Sequence, residues 1–367
     1  MNNSTIELKR GVVAVCLALP ALCFGQSANV GASNVTIYGR IHAGIDRVTQ
    51  SATPGKAGET LVRVSDNSSK FGLRGTEDLG GGMTAFFQIE GNAKIDDGTG
   101  ALNSKDTYVG LGGKTYGRLM LGRFATPVRQ MNNYSNRFLG EGIQDDANIS
   151  QLGGDGFNRR SSNSISYQTP QFGAFTATVY RASENEAANG DRILSGMLQY
   201  GAGPLKAGLG YETHKNLTPG FTDKMLRVAA NYQFGGGDVG VAYNRMTYNI
   251  GAGSLERDYF TVTGSWKLGP GALIGRYGIA GDVSGSAPNG ASVDVKGTAL
   301  VRGADSGAAQ ATLGYEYNLS KRSQLYAYGT RTRNDKNANY TFGGNSFSSV
   351  KKGATVSGVM LGIVHVF

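Results

Sequence analysis

From residue 35 onward, apolar and polar positions alternate along the chain. Val35, Ile37, Ile41, Ala43 and Ile45 share one parity, while Thr36, Tyr38, Arg40, His42 and Asp46 take the other. The pattern recurs in Phe71 and Leu73 against Lys70, Gly72, Arg74 and Thr76, and in Met83, Ala85, Phe87 and Ile89 against Thr84, Gln88 and Glu90. Later examples are Leu226, Val228, Ala230, Tyr232 and Phe234 against Arg227, Asn231 and Gln233, and Phe260, Val262 and Trp266 against Thr261, Thr263, Ser265 and Lys267. Ala309, Ala311, Leu313, Tyr315 and Tyr317 oppose Gln310, Thr312 and Glu316 in the same way. Successive side chains of a strand point to opposite faces, so this period predicts β-strands with one apolar and one polar face. A water-soluble sandwich would turn the polar face outward. A membrane barrel would give the apolar face to lipid and line its lumen with the polar one.

The connections separate these two readings. Short turn clusters fall at 78–82, 112–116, 169–173, 201–204, 235–238, 269–271 and 318–322. Between them lie longer polar loops, at about 47–68, 91–105, 124–163, 182–192, 213–223, 247–257, 281–306 and 332–354. Short and long strictly alternate, as periplasmic turns and extracellular loops do in outer-membrane barrels. Seven turns and eight loops join sixteen strands, an even number, with both chain ends on the short-turn side. The predicted fold is all-β: a sixteen-stranded antiparallel transmembrane barrel whose last strand closes on its first. Eight strands would be filled by their own side chains, whereas sixteen leave an aqueous channel.

The first 25 residues are different. Lys9 and Arg10 precede an apolar run from Val12 to Leu22, broken by Pro20, and Cys23-Phe24-Gly25 offers small residues for cleavage. Residues 1–25 are therefore expected to be a secretory signal peptide cut after Gly25, and residues 26–367 the barrel. The apolar run is shorter than the ~20 residues of a spanning helix. Lipidation at Cys23 is the rival reading, against which Leu22 stands as a poor fit to the small residue expected there.

Composition sharpens the picture at three points. Cys16 and Cys23 both lie in the leader, so the exported chain has no thiol for a disulfide, zinc site or nucleophile. Fifty-seven glycines and eighteen tyrosines, against one tryptophan and a slightly polar mean hydropathy, favour a membrane barrel over a soluble fold. The net charge of +9 is scattered singly rather than clustered, which argues against a nucleic-acid partner and bears instead on which solutes pass.

Several segments together resemble the general porins of β-proteobacteria and neisseriae. They are Val35-Thr-Ile-Tyr-Gly-Arg40, Ser69-Lys-Phe-Gly-Leu-Arg-Gly-Thr-Glu-Asp-Leu-Gly80, Leu121-Gly-Arg123 with Thr126-Pro127, Asn163-Ser-Ile-Ser-Tyr-Gln-Thr-Pro170 and the terminal His365-Val-Phe367. The resemblance implies passive diffusion of small hydrophilic solutes and ions across a Gram-negative outer membrane. It also implies a homotrimer and a third loop that folds inward and narrows the pore. Phe367 resembles the signal read by the outer-membrane assembly machinery. Lipid bilayer with lipopolysaccharide is the expected surrounding; no cofactor is expected.

Loop 124–163 is the longest, and long loops without structure of their own are usually functional or disordered. Its charges include Arg129, Arg137, Glu141, Asp145, Asp146, Asp155, Arg159 and Arg160, with an acidic stretch across Glu141, Asp145 and Asp146. Alternation turns Arg40, Lys70 and Arg74 inward. Arg123 matches a wall arginine of the resembled family, although simple alternation from Leu119 and Leu121 points it outward, so a local irregularity is expected there. An acidic loop against a basic wall would set a field across the narrowest section, and charged rings are how pores choose ions. More inward bases than acids predict a mild anion preference. The blander alternative is that each inward arginine is only solvated lining, and that the loop acids bind neighbouring loops.

Three other functions compete with this one on sequence grounds, and an enzyme is not expected. An outer-membrane enzyme would need a base beside a nucleophile, but the three histidines lie apart: His42 on the first strand, His214 in a loop, His365 near the end. A substrate-specific channel would need an aromatic track, and Tyr38, Tyr108 and Tyr180 form no contiguous ladder in sequence. The long loops could also support adhesion.

Overall fold

The computed structural model describes residues 34–184, 190–217, 220–295 and 297–367; the leader segment expected at 1–25 lies outside them. Among the described residues eighteen strand segments join one antiparallel sheet. Two of its staves are each made of two segments, so the wall has sixteen. In chain order they are β1 (Asn34–Gln50), β2 (Glu59–Asp66 continued by Lys70–Gly80), β3 (Met83–Ala93), β4 (Gly100–Ala101 continued by Thr107–Gly113), β5 (Gly117–Ala125), β6 (Arg160–Gln168), β7 (Phe175–Ala182) and β8 (Arg192–Ala202). They continue as β9 (Leu205–Lys215), β10 (Thr222–Phe234), β11 (Gly237–Asn249), β12 (Ser254–Leu268), β13 (Gly271–Ala280), β14 (Ala308–Asn318), β15 (Ser323–Asn334) and β16 (Thr355–Val366). Each stave pairs with its neighbours in sequence, and β1 pairs with β16 from Arg40↔Val366 to Gln50↔Val356. Gly39 and Phe367 exchange two backbone bonds of 3.1 Å at the end of that seam. No edge is left open, the condition for a sheet to cross lipid.

The face assignment holds. Ile37, Ile45, Leu313 and Leu361 point outward with 60–67 % of their surface uncovered by protein, where lipid tails meet them. His42, Asp46, Asn231, Thr261, Gln310 and Thr312 point inward and are buried. The short-turn side matches expectation, with two-residue turns at 81–82, 203–204, 235–236 and 269–270. On the other side several strands run further than the loop boundaries suggested. β11 and β12 are joined by only 250–253, and His214, expected in a loop, sits inside β9. There its Nε2 lies 2.7 Å from Glu212 and its ring stacks on Phe157. The cause is that polar residues facing a crowded lumen look like loop residues.

The interruption in β2 is a bulge. β1 pairs with β2 as Ala43↔Asp66 and again as Arg40↔Lys70, so Asn67–Ser69 contribute one residue more than their partner strand. Such a bulge bends a strand and re-aims side chains.

Candidate functional site: a charged cavity beside the third loop

Residues 126–159 fold into the barrel. Thr126 caps α1 (Pro127–Gln130), its Oγ1 accepting from the Arg129 backbone N–H at 3.4 Å, with Pro127 at the first helical position. α2 (Asn132–Ser135) follows, and then α3 (Ala147–Gln151), ended by Leu152 in the left-handed region at φ 58°. Helices this short do not hold themselves together; burial does. Val128, Met131, Tyr134, Ile149, Leu152 and Phe157 are all buried. They meet inward-facing Met197, Met225, Ala229, Ala242 and Met246 of the wall from β8 to β11. Each such burial contributes about 1.5–3 kcal/mol. The wall makes room with Gly240, where a Cβ would come within 2.4 Å of the Tyr134 carbonyl oxygen.

Polar clamps fix the rest of the loop. Arg276 of β13 reaches the Gln144 carbonyl, lies 3.2 Å from Asp146 and stacks 5.1 Å from the Phe138 ring. Tyr259 donates to Asp146 at 2.7 Å. The loop 335–354 folds in as well, with Tyr340, Phe342, Phe347 and Val350 buried. Its Gly343 N–H donates to the Asp145 carbonyl at 2.8 Å. This second insertion went unnoticed in sequence. Four large apolar residues in a connection read as solvent-exposed were the available signal.

What remains between the third loop and the wall from β1 to β6 is a cavity of about 500 Å³. Arg40, Lys70 and Arg74 line it from the wall, and Arg129, Glu141 and Asp145 from the loop. Five of the expected site residues are thus brought together. Asp146 is not: it is spent on Arg276 and Tyr259 behind the loop. Arg123 departs from the expectation too. The irregularity is present as a register shift between Gly122 and Phe124. Phe124, however, takes the inward direction, while Arg123 donates to Ser162 at 3.0 Å beside outward-facing Leu121 and Ile165.

The cavity is not divided into an acidic loop and a basic wall. Glu90 of β3 accepts from Lys70 at 2.8 Å and from Tyr38 at 3.0 Å, and Asp106 pairs with Arg160. The loop supplies its own base, Arg129, 3.3 Å from Glu141. Three bases are therefore matched. Arg40 donates to the Ser68 carbonyl at 2.7 Å, and Arg74 lies 4.9 Å from the Tyr38 ring centre; neither has a carboxylate in ion-pair reach among the described residues. Burial alone would raise the Glu141 carboxyl, but Lys105, Arg129 and Arg160 outweigh it and hold the group below its usual range. For Asp145 burial wins, reinforced by Glu141 and Asp146, and pushes the carboxyl up to about 7.

Two of the inward tyrosines, Tyr108 and Tyr180, join a cluster with two phenylalanines. Phe86, Tyr108, Phe124 and Tyr180 touch edge-to-face in a row from β3 to β7, with centroids 5.4–6.2 Å apart. Three of the four are buried, so they pack the wall instead of offering a track.

A closed sixteen-stave barrel, narrowed from inside by a docked loop around a charged cavity, defines an outer-membrane channel. A family profile described as Gram-negative porin matches residues 12–337, and the chain belongs to that family. It is 30% identical to outer membrane porin protein 32 of Delftia acidovorans, over 98% of this chain and 100% of that one. It is 28% identical to an outer membrane porin protein of Bordetella pertussis, over 87% and 94% of the two chains. Among solved structures an anion-selective porin from Comamonas acidovorans superposes with a TM-score of 0.74 at 27% identity, covering 91% of this chain and all of that one. The protein is an outer-membrane porin, a channel for passive diffusion.

Proposed function

We propose that this porin passes small hydrophilic solutes through the cavity between its third loop and the β1–β6 wall, and that it prefers anions. One observation carries the preference: Arg40 and Arg74 face the cavity without carboxylate partners, while the other lining bases are paired. An unpaired charge in a confined, partly low-dielectric passage acts on ions more strongly than one on an open surface. The structural relative from Comamonas, described as anion-selective, supports the same sign. Reversal potentials of the purified protein in planar bilayers under a potassium chloride gradient test it. The expected sign favours chloride, and a cation-favouring sign rejects the proposal.

The remaining parts of the reading follow from the sequence. Cleavage after Gly25 is checked by N-terminal sequencing of the membrane-inserted protein. Homotrimerisation, proposed from the resemblance, is checked by native mass. Phe367 is proposed as the assembly signal, supported by its place at the closing seam with Gly39. Removing it should cut the yield of inserted barrel while leaving synthesis unchanged.

A further inference from the structure

Ser68 stands in the bulge of β2 at φ 71°, a left-handed conformation that residues with a side chain rarely adopt. Its neighbours hold it there. The Asp66 carboxylate accepts from the Ser68 N–H at 2.9 Å and from the Ser69 N–H at 3.1 and 3.2 Å, the bonding of an Asx turn. Asn67 ties the same bulge to both inserted loops. Its carbonyl accepts from the Glu141 N–H at 3.4 Å, and its side-chain oxygen accepts from the Asn345 amide at 2.8 Å.

The backbone so fixed turns two oxygens of one residue toward two bases. The Ser68 carbonyl accepts from Arg40 at 2.7 Å, and the Ser68 hydroxyl accepts from Lys105 at 2.8 Å. Lys105 is buried in the gap between the two segments of β4, one residue before Asp106 of the cavity wall. Its charge reaches the cavity. Against the burial that would raise the Glu141 carboxyl, Lys105 is the strongest opposing base, ahead of Arg129, Arg160 and Arg40. Neither Arg40 nor Lys105 has a carboxylate in ion-pair reach among the described residues. Lys70 is held differently, because Glu90 fixes it and cancels its charge in the same contact. A neutral oxygen fixes a cation and leaves the charge whole.

We infer that Ser68 is a positioning residue for ion selectivity: its carbonyl and hydroxyl hold Arg40 and Lys105 beside the cavity without cancelling them, and so set the field that a passing anion meets. Coulomb energy falls with distance, so a lysine free to swing would spread that field or fold onto an acid. Glu141 is the acid that acts on Lys105 most strongly. Without the Ser68 hydroxyl, Lys105 turns toward Glu141 and loses its effect on ions. The inference rests on the reading that ions pass through this cavity, but it concerns a shift in preference and not the sign of the whole channel.

The test uses the full barrel in planar bilayers, with zero-current potentials and single-channel conductance measured in a potassium chloride gradient. Ser68→Gly accepts φ 71° without cost, keeps the carbonyl for Arg40 and removes only the hydroxyl. Its chloride-to-potassium permeability ratio should fall by roughly twofold, less than deletion of a whole unit charge would give. Ser68→Asn also tolerates the left-handed region and restores a neutral oxygen, so it should keep the wild-type ratio. In a Lys105→Gln background Ser68→Gly should cause no further fall, because the base it acts through is gone. A wild-type ratio in Ser68→Gly overturns the inference. So does a Ser68→Asn ratio as low as that of Ser68→Gly, or an equal fall with and without Lys105, since the hydroxyl then only braces the bulge. A wild-type potential that favours potassium would refute the anion preference alone. The difference between wild type and Ser68→Gly would still decide the role of Ser68.

Discussion

Neutralising Arg74 isolates the electrostatic argument. Arg74 stands on β2 over the Tyr38 ring, exposed to the cavity, with no carboxylate to release when it is removed. Arg74→Gln therefore deletes one charge without orphaning another, since Lys70 and Tyr38 stay bonded to Glu90. An ion passing at about 4 Å feels roughly 1 kcal/mol from a unit charge in a water-like medium and about 4 kcal/mol at an effective dielectric of 20. An exposed side chain belongs near the water-like end. The Debye length of about 10 Å at 0.1 M salt leaves so short a contact largely unscreened. One kilocalorie is about fivefold in local anion occupancy, and the anion-to-cation permeability ratio should fall by a comparable factor. The assay is the zero-current potential across a planar bilayer in a salt gradient, compared with Arg123→Gln. Arg123 carries the same charge but lies outside the cavity, so its loss should leave the potential in place. If Arg74→Gln changes nothing, or Arg123→Gln shifts the potential equally, the assignment of selectivity to this cavity fails.

Three further outcomes follow from the loop. Because Asp145 is protonated below about 7 and ionised above it, anion preference should weaken as pH rises from 6 to 8. Asp145→Asn should flatten that profile. The same group binds its proton more tightly in the folded than in the unfolded chain, so its effect on stability is a loss as pH rises from 3.8 toward about 7. A thermal midpoint that rises over this window in wild type relative to Asp145→Asn would contradict the burial of the group. Gly240→Val should drive α2 off the wall, because its Cβ meets the Tyr134 carbonyl at 2.4 Å; single-channel conductance should rise and the thermal midpoint drop. Arg276→Met leaves the partly buried Asp146 without its cation, a loss below the roughly 3–5 kcal/mol of a fully buried broken pair. It should appear as open-channel current noise and new protease cleavage within 136–147.

The wall was readable because its cause is local. A two-residue period and the order of short and long connections are present in any one segment, and together they give sixteen staves without tertiary information. The interior was less readable because three different things write polar or apolar letters on the inward face. Met225 and Met246 face inward as surely as Arg227 does, yet they are docking surface for Phe157, Val128 and their neighbours, and Ile193 packs with Phe124 and Tyr180. Glu90 and Asp106 sit among the expected bases and match two of the positive charges. Period-two counting could reach neither fact, since it says which way a side chain points and not what comes to meet it. Arg123 shows the converse limit. A register shift does occur beside it, but its direction depends on which residue packs into the wall, and Phe124 does.

The joint between Gly39 and Phe367 carries the seam between the first and last staves one residue past Val366. The first and last staves, farthest apart along the chain, are neighbours in the wall, so a product that stops short of β16 keeps two unpaired sheet margins. Quality control of such a protein needs no elaborate inspection: a chain either shuts its ring or stays sticky, and only the second kind offers a protease something to hold.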